Sequence, residues 1–274
     1  MKKFELTDEF ITNAFGNKLF RIKAIVDFGT IRAGELGGFV EKEENLSNDD
    51  NAWVSGNARV SDDARISDDA RISGNAQVSG NASVYGNAWV SDDARISGNA
   101  QVSGNASVYG NASVSDDARI SGNAQVYGNA SVFGNASVSD DARISGNASV
   151  FGNASVSDDA QVYGNASVFG NASVSDDAQV YGNARISGNA SVFGNADYAV
   201  VEGFGRYFRA TTFFRCKDKI LRVQCGCFYG DLAEFREIVK KTHGDSKYAK
   251  EYLAIADLME LHFSDDEGRQ EAAE

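Results

Sequence analysis

The stretch SDDARISGNAQVSGNASVYGNA, residues 67–88, recurs letter for letter at residues 91–112, 24 residues later. Such copying sits badly with a catalytic site, which needs unlike groups converging on one point. Working outward, the chain falls into sixes. Ala stands at every sixth position from Ala52 to Ala196, and Val or Ile at every sixth from Val54 to Val192. The unit reads aliphatic, then Ser, Tyr or Phe, then Gly-Asn or Asp-Asp, then Ala, then a variable residue.

A glycine every six residues weakens a helix, and a period of six does not hold one face of a 3.6-residue spiral. Strand fits better: Ala and Val/Ile lie two apart and point to one side, leaving the variable residue outside. The Gly-Asn or Asp-Asp pair then turns a corner. Its second member, always Asn or Asp, is expected to take the left-handed backbone that these residues tolerate. Three sixes close an 18-residue turn, and turns stack through parallel hydrogen bonds. The expected fold is mainly β: a triangular prism of about eight coils, roughly 38 Å long at about 4.8 Å per coil. Each buried Val or Ile contributes about 1.5–3 kcal/mol before chain entropy is subtracted.

The pattern resembles the hexapeptide-repeat superfamily, which implies a left-handed parallel β-helix; the handedness comes from that resemblance alone. LFRIKAIVDFGTIRAGELGGFVEKEENLS (residues 19–47) resembles the N-terminal segment of uncharacterised bacterial and phage proteins called YdcK-like or polymer-forming. TTFF, CGCFYG and THGDSKYAKEY near the C-terminus resemble a module of the same proteins. The resemblance implies no established activity. Residues 1–45 are expected to form a β-rich N-terminal cap with a turn at Gly37-Gly38, 46–200 the β-helix, and 201–274 a small α+β module. In that module two strands flank Lys217-Asp218-Lys219 within 207–228. Two helices follow. Asp231 and Glu234 make a capping box before Leu232, Phe235, Ile238 and Val239. Ser246 starts the second helix, with Tyr248, Tyr252, Ile255 and Met259 on one stripe. Open β-helix ends invite end-to-end growth, so either end segment is a plausible cap.

Residues 18 apart should share a column. Tyr109, Tyr127, Tyr163 and Tyr181 fall in one column, interrupted by Ser145; Phe133, Phe151 and Phe169 fall in the next. Plain stacking stabilisation is the preferred reading of these aromatics, and as the alternative they are the candidate partner-binding residues. Asp140/Asp141, Asp158/Asp159 and Asp176/Asp177 also stack, and oxygen-only ligands of that kind suit calcium. Earlier pairs, spaced by 24, rotate around the faces, which favours a solvated acidic edge over a metal column. One outward row holds Trp53, Arg71, Trp89, Ser107, Gln125, Arg143, Gln161 and Gln179; it lacks the regular Thr pairs of an ice-binding face.

The chain carries 39 acidic and 26 basic side chains, a net charge of −13, which disfavours direct nucleic-acid binding. The N-terminus has no apolar run and no stretch has the length of a membrane span, so a cytoplasmic protein without membrane contact is expected. Cys216, Cys225 and Cys227 fit a reducing compartment. Cys225-Gly226-Cys227 with Cys216 and His243 is a loose zinc pattern, one residue short of the usual pair spacing; buried structural cysteines, with His243 in the interhelical turn, are the preferred reading. Similar hexapeptide proteins that transfer acyl groups use a coil-borne His as base, whereas both histidines here, His243 and His262, lie outside the coils. The expectation is a non-catalytic scaffold without cofactor, phage-related or self-associating, whose partner is a protein or a second copy. An acidic decoy mimicking nucleic acid is the alternative.

Overall fold

The computed structural model describes residues 2–264; the last ten residues of the expected C-terminal module lie outside them. Between Trp53 and Val192 the chain forms 24 two-residue strands, one per hexad. Every third strand pairs in parallel at an offset of 18, giving three sheets that wall a solenoid. Val84, Val102 and Ile120 share one interior column. Each strand is short because one side of the prism holds only two inward residues, the strand's own Val or Ile and the Ala just before it. From Ala52 to Val192 these residues make a single continuous core. Ala196 keeps the hexad phase but is exposed, so the rod ends before the sequence period does.

The corners correct the expected backbone. From Asp50 to Gly188 the first member of each pair, not the second, takes positive φ: Gly56 at +64°, Asp62 at +57°, Asp92 at +58°. A positive φ at the first corner residue, closed by an Ala58 N–H to Ser55 O bond of 3.2 Å, is the feature of type II′ turns and favours glycine there. A Cβ on Gly98 would lie 2.7 Å from Asp116 N in the next coil, so crowding also selects against side chains. At Asp62, Asp68, Asp92 and Asp116, where Asp replaces Gly, the carboxylate accepts from the backbone one coil on, as Asp68 Oδ2 does from Gly86 N at 2.8 Å. The second member forms side-chain ladders. Asn87 Nδ2 donates to Asn105 Oδ1, Asn105 to Asn123, and Asn123 to Asp141, at 3.0–3.1 Å. An Asp ends such a ladder because it accepts and cannot donate.

The stack is one coil longer at its start than the hexads indicate. Strands β1 (Phe4–Thr12), β2 (Lys18–Ala24) and β3 (Leu36–Val40) form an antiparallel meander that continues one wall of the prism. Val40 pairs with Val60 and Leu46 bridges to Ile66, offsets of 20 that shift the phase by two residues. Gly37-Gly38 is strand and not turn. A Cβ on Gly37 would run into the Ile22 side chain and lie 2.7 Å from Trp53 Cζ2, so the pair is selected by close approach. That approach, with Phe28 edge-on at 5.5 Å, buries Trp53, which was expected to face outward with its row.

After the rod, strands Tyr198–Val201, Thr211–Arg215, Leu221–Cys225 and Phe228–Asp231 make a four-stranded antiparallel sheet, two more than expected. Helices α1 (Leu232–His243) and α2 (Lys247–His262) pack on it around Phe213, Phe235, Tyr252 and Met259. The capping box of Asp231 and Glu234 and the Ser246 N-cap start these helices. Ile238 and Tyr248 are exposed, off the buried stripe, and His243 ends α1 instead of lying in the turn.

Candidate functional site

Each corner side chain that follows an inward Val or Ile stands over its counterpart 18 residues away. At one corner this brings Tyr109 and Tyr127 to 5.0 Å between ring centroids, 2° from parallel, and Tyr163 and Tyr181 to 5.4 Å. At the next corner Phe133, Phe151 and Phe169 stack at 4.9 Å, 1–2° from parallel. The Arg185 guanidinium closes that ladder 5.4 Å from the Phe169 ring. Stacking covers ring faces, and Phe133, Phe151 and Phe169 are half-buried. Burial beside Tyr127 pushes the Tyr109 phenol up from its ordinary value. Tyr181 stays exposed and meets Tyr198 edge-on.

Ser145 interrupts the Tyr column. Tyr127 and Tyr163 are therefore two coils apart, about 10 Å at the ~4.8 Å coil spacing, and the space between them is one ring thick. Sequence reasoning located the interruption but gave it no role; a missing ring in a stacked column was the signal.

The acidic residues form two adjacent columns, Asp140, Asp158, Asp176 and Asp141, Asp159, Asp177, all exposed. Asp140 and Asp158 turn to their own serines, accepting from Ser139 Oγ at 2.8 Å and Ser157 Oγ at 3.0 Å. Asp141, Asp159 and Asp177 edge a groove of about 420 Å³ in which Arg143, Gln161 and Gln179 alternate with them. Among the described residues no three His, Cys, Asp or Glu side chains gather closely enough to hold a metal ion. The zinc pattern does not assemble either: Cys216 is buried, Cys225 half-buried and Cys227 exposed, so the three do not make a common buried set. His243 instead lies against Tyr252, at 5.8 Å.

Both ends of the rod are covered by the chain itself. Backbone N–H groups in the coils point toward the C-terminal end, residue i donating to the carbonyl of i+17, as Arg95 N does to Ala112 O at 2.9 Å. At the C-terminal end side-chain oxygens therefore act as acceptors: Asn195 Oδ1 for Gln179 N, Thr212 Oγ1 for Arg185 N, and Asp197 Oδ2 for Phe193 N and Gly194 N. Tyr198 Oη donates to Gln179 O at 2.6 Å, and its burial pushes the phenol up to about 12. At the N-terminal end donors meet carbonyls. Lys3 Nζ reaches Asp49 O and Asp50 O at 3.1 and 3.3 Å, and Asn45 Nδ2 reaches Asp62 O and Ala64 O at 3.0 and 2.9 Å.

No helix among the described residues is long and apolar enough to cross a membrane. The repeats match a family described as the YdcK beta solenoid repeat, at residues 64–77, 76–92, 88–104, 94–110, 100–116, 124–140, 142–158, 160–176 and 178–194. The last four segments start 18 residues apart, one per coil. No curated protein matches the chain.

Proposed function

We propose, for a chain whose repeat region belongs to the YdcK-like β-solenoid family, that it works as a non-catalytic scaffold. It is a rod of fixed length, closed at both ends, that meets a protein partner through its side. The observation that carries this reading is the covering of both terminal coils by donors and acceptors of matching kind. Growth by end-to-end pairing needs free strand edges. Here the outermost strand of the extended wall, β1, is broken by an irregularity between Leu6 and Phe10 and carries Asp8 and Glu9. The lateral corners are then the places left for association.

Among them the interrupted Tyr column supports docking best. The slot over Ser145 accepts one planar ring, with Tyr127 and Tyr163 as its two walls, and the occupant is an aromatic side chain of a protein partner. The rod supplies rigidity because each coil is held to its neighbours by backbone and side-chain ladders together. The test is Ser145→Tyr, which fills the slot from within. The variant is expected to be more stable, by about 0.5–1.5 kcal/mol for the aromatic pairs gained, and to lose a partner captured by the wild-type chain in a pull-down. Retained capture, with the stability gain present, removes the slot from the account. A capture abolished by moderate salt in both proteins would instead support the acidic-decoy reading.

A further inference from the structure

The chain's two tryptophans stand in one row, two coils apart, with Arg71 paired to both. They share a groove of about 420 Å³ where the N-terminal meander meets the first coils, lined also by Glu35, Asn51, Ser55 and Ser73. We propose that this groove binds a neutral pyranose unit of a glycan, stacked on Trp89.

Four observations point there. Trp89 is 53% exposed, yet its indole N–H donates to Ser73 Oγ at 3.1 Å. The ring is therefore oriented while much of it remains in solvent, an arrangement that favours the C–H face of a sugar over an apolar side chain needing full burial. Arg71 is exposed and has no acidic partner among the described residues, leaving its fork of donors open to ring hydroxyls. Glu35 lines it too, so the groove holds one cation and one anion and favours no net ligand charge. A phosphate or uronate would gain Arg71 but meet Glu35 and the field of a chain at −13. Trp53 lies at the base, 4% exposed, and its buried indole N–H has no acceptor among the described residues. The volume lies in the ~300–1,000 Å³ range of ligand clefts.

The meander is what makes the groove. Elsewhere the outward row is an open face, whereas here Thr30 and Ile31 raise a wall beside it. This accounts for both tryptophans lying at the start of the row, while Ser, Gln and Arg fill its later positions.

Because the chain's two tryptophans both line the groove, fluorescence excited selectively at tryptophan, and not at the ten tyrosines, reports on it. The chain would be applied to a glycan array spanning neutral hexosides, N-acetylhexosamines, uronic acids and sulfated sugars, and the retained glycan titrated by fluorescence and calorimetry. The expected result is retention of a neutral glycan, a shift of the tryptophan emission on binding, and at least a tenfold loss of affinity in both Trp89→Ala and Arg71→Ala. Gln161→Ala, lower in the same row, should bind as the wild type does. Both groove substitutions are of exposed side chains, and an unchanged melting temperature separates lost binding from lost folding. Retention of no glycan overturns the proposal. So does retention of acidic sugars alone, or a neutral glycan bound equally well by the two groove variants.

Discussion

The two ends of the rod solve opposite problems. The N-terminal end presents carbonyl oxygens and is met by donors, Lys3 and Asn45. The C-terminal end presents N–H groups and is met by acceptors, Asn195, Asp197 and Thr212. Parallel coils align every backbone bond along one axis, so the rod is chemically polar and its caps are not interchangeable. The same direction runs through the side chains. Asn ladders donate toward the C-terminus, and the longest ends on an acceptor-only group, running from Asn111 through Asn129, Asn147 and Asn165 to Asn183 and then Glu202. The middle of the rod needs no such matching, which is why its units can be copied unchanged.

Breaking the C-terminal side of this comparison should have the largest effect. Truncation after residue 196 removes Asp197, Tyr198 and Thr212 together and bares three strand edges. The expected outcome is concentration-dependent association of the shortened chain, seen by sedimentation, where the full chain sediments at one size. A truncated chain that stays at one size would show that the cap is dispensable.

At the other end, Lys3→Met leaves Asp49 O and Asp50 O without their donor. It is expected to destabilise by about 1–3 kcal/mol at neutral pH, measured by chemical denaturation. Burial pushes the Lys3 amine down to about 8, against the pull of Asp50, Asp49 and Asp69. The unfolded chain then holds this proton up to about 10.5, so wild-type stability should rise as pH climbs from about 8 toward 10.5. The full burial cost applies below about 8. Lys3→Met should lack this rise, and the Lys3 ε-methylene resonance should titrate near 8. A midpoint above 10 would contradict the burial. Tyr198 works the other way: with its phenol raised to about 12, its share of stability is present below about 10 and is lost as pH rises through about 12.

The smallest expected effect lies in the middle. Asp141, Asp159 and Asp177 stack with no amide among them. Asp159→Asn restores a donor toward Asp177 and removes a like charge. A gain of about 0.5–1 kcal/mol is expected, or about 2 °C in melting temperature, shrinking as salt is added. A loss at low salt would mean that the acidic column is itself stabilising.

Much of the rod was legible because one constraint repeats. Ala and Val/Ile two apart must share a face, and the period of 18 follows from three such sides. Column membership of Tyr109, Phe133 and Asp140 followed from the same arithmetic. What escaped was set by contacts outside the hexad. At the corners the tolerance of Asn for positive φ points to the wrong residue, because a ladder of amides has the stronger claim on that position. Trp53 was read as outward because its row is outward; Gly37 and Phe28, far off in sequence, cover it. The extra first coil was hidden by a two-residue shift between Val40 and Val60. The Trp53–Arg71–Trp89 groove needs the meander as its wall, and no spacing within the repeat announces that.

The most direct test is a pair of deletions. Removing residues 85–102 takes out one whole coil and joins Val84 to Ser103 in phase; removing residues 85–93 joins it to Ala94 out of phase. The first variant should keep the wild-type circular dichroism, melt cooperatively, and be shorter by about 4.8 Å in small-angle scattering. The second should lose stability steeply, because every later Val and Ala is displaced from its column. Equal damage from both deletions would contradict a rod built of 18-residue coils.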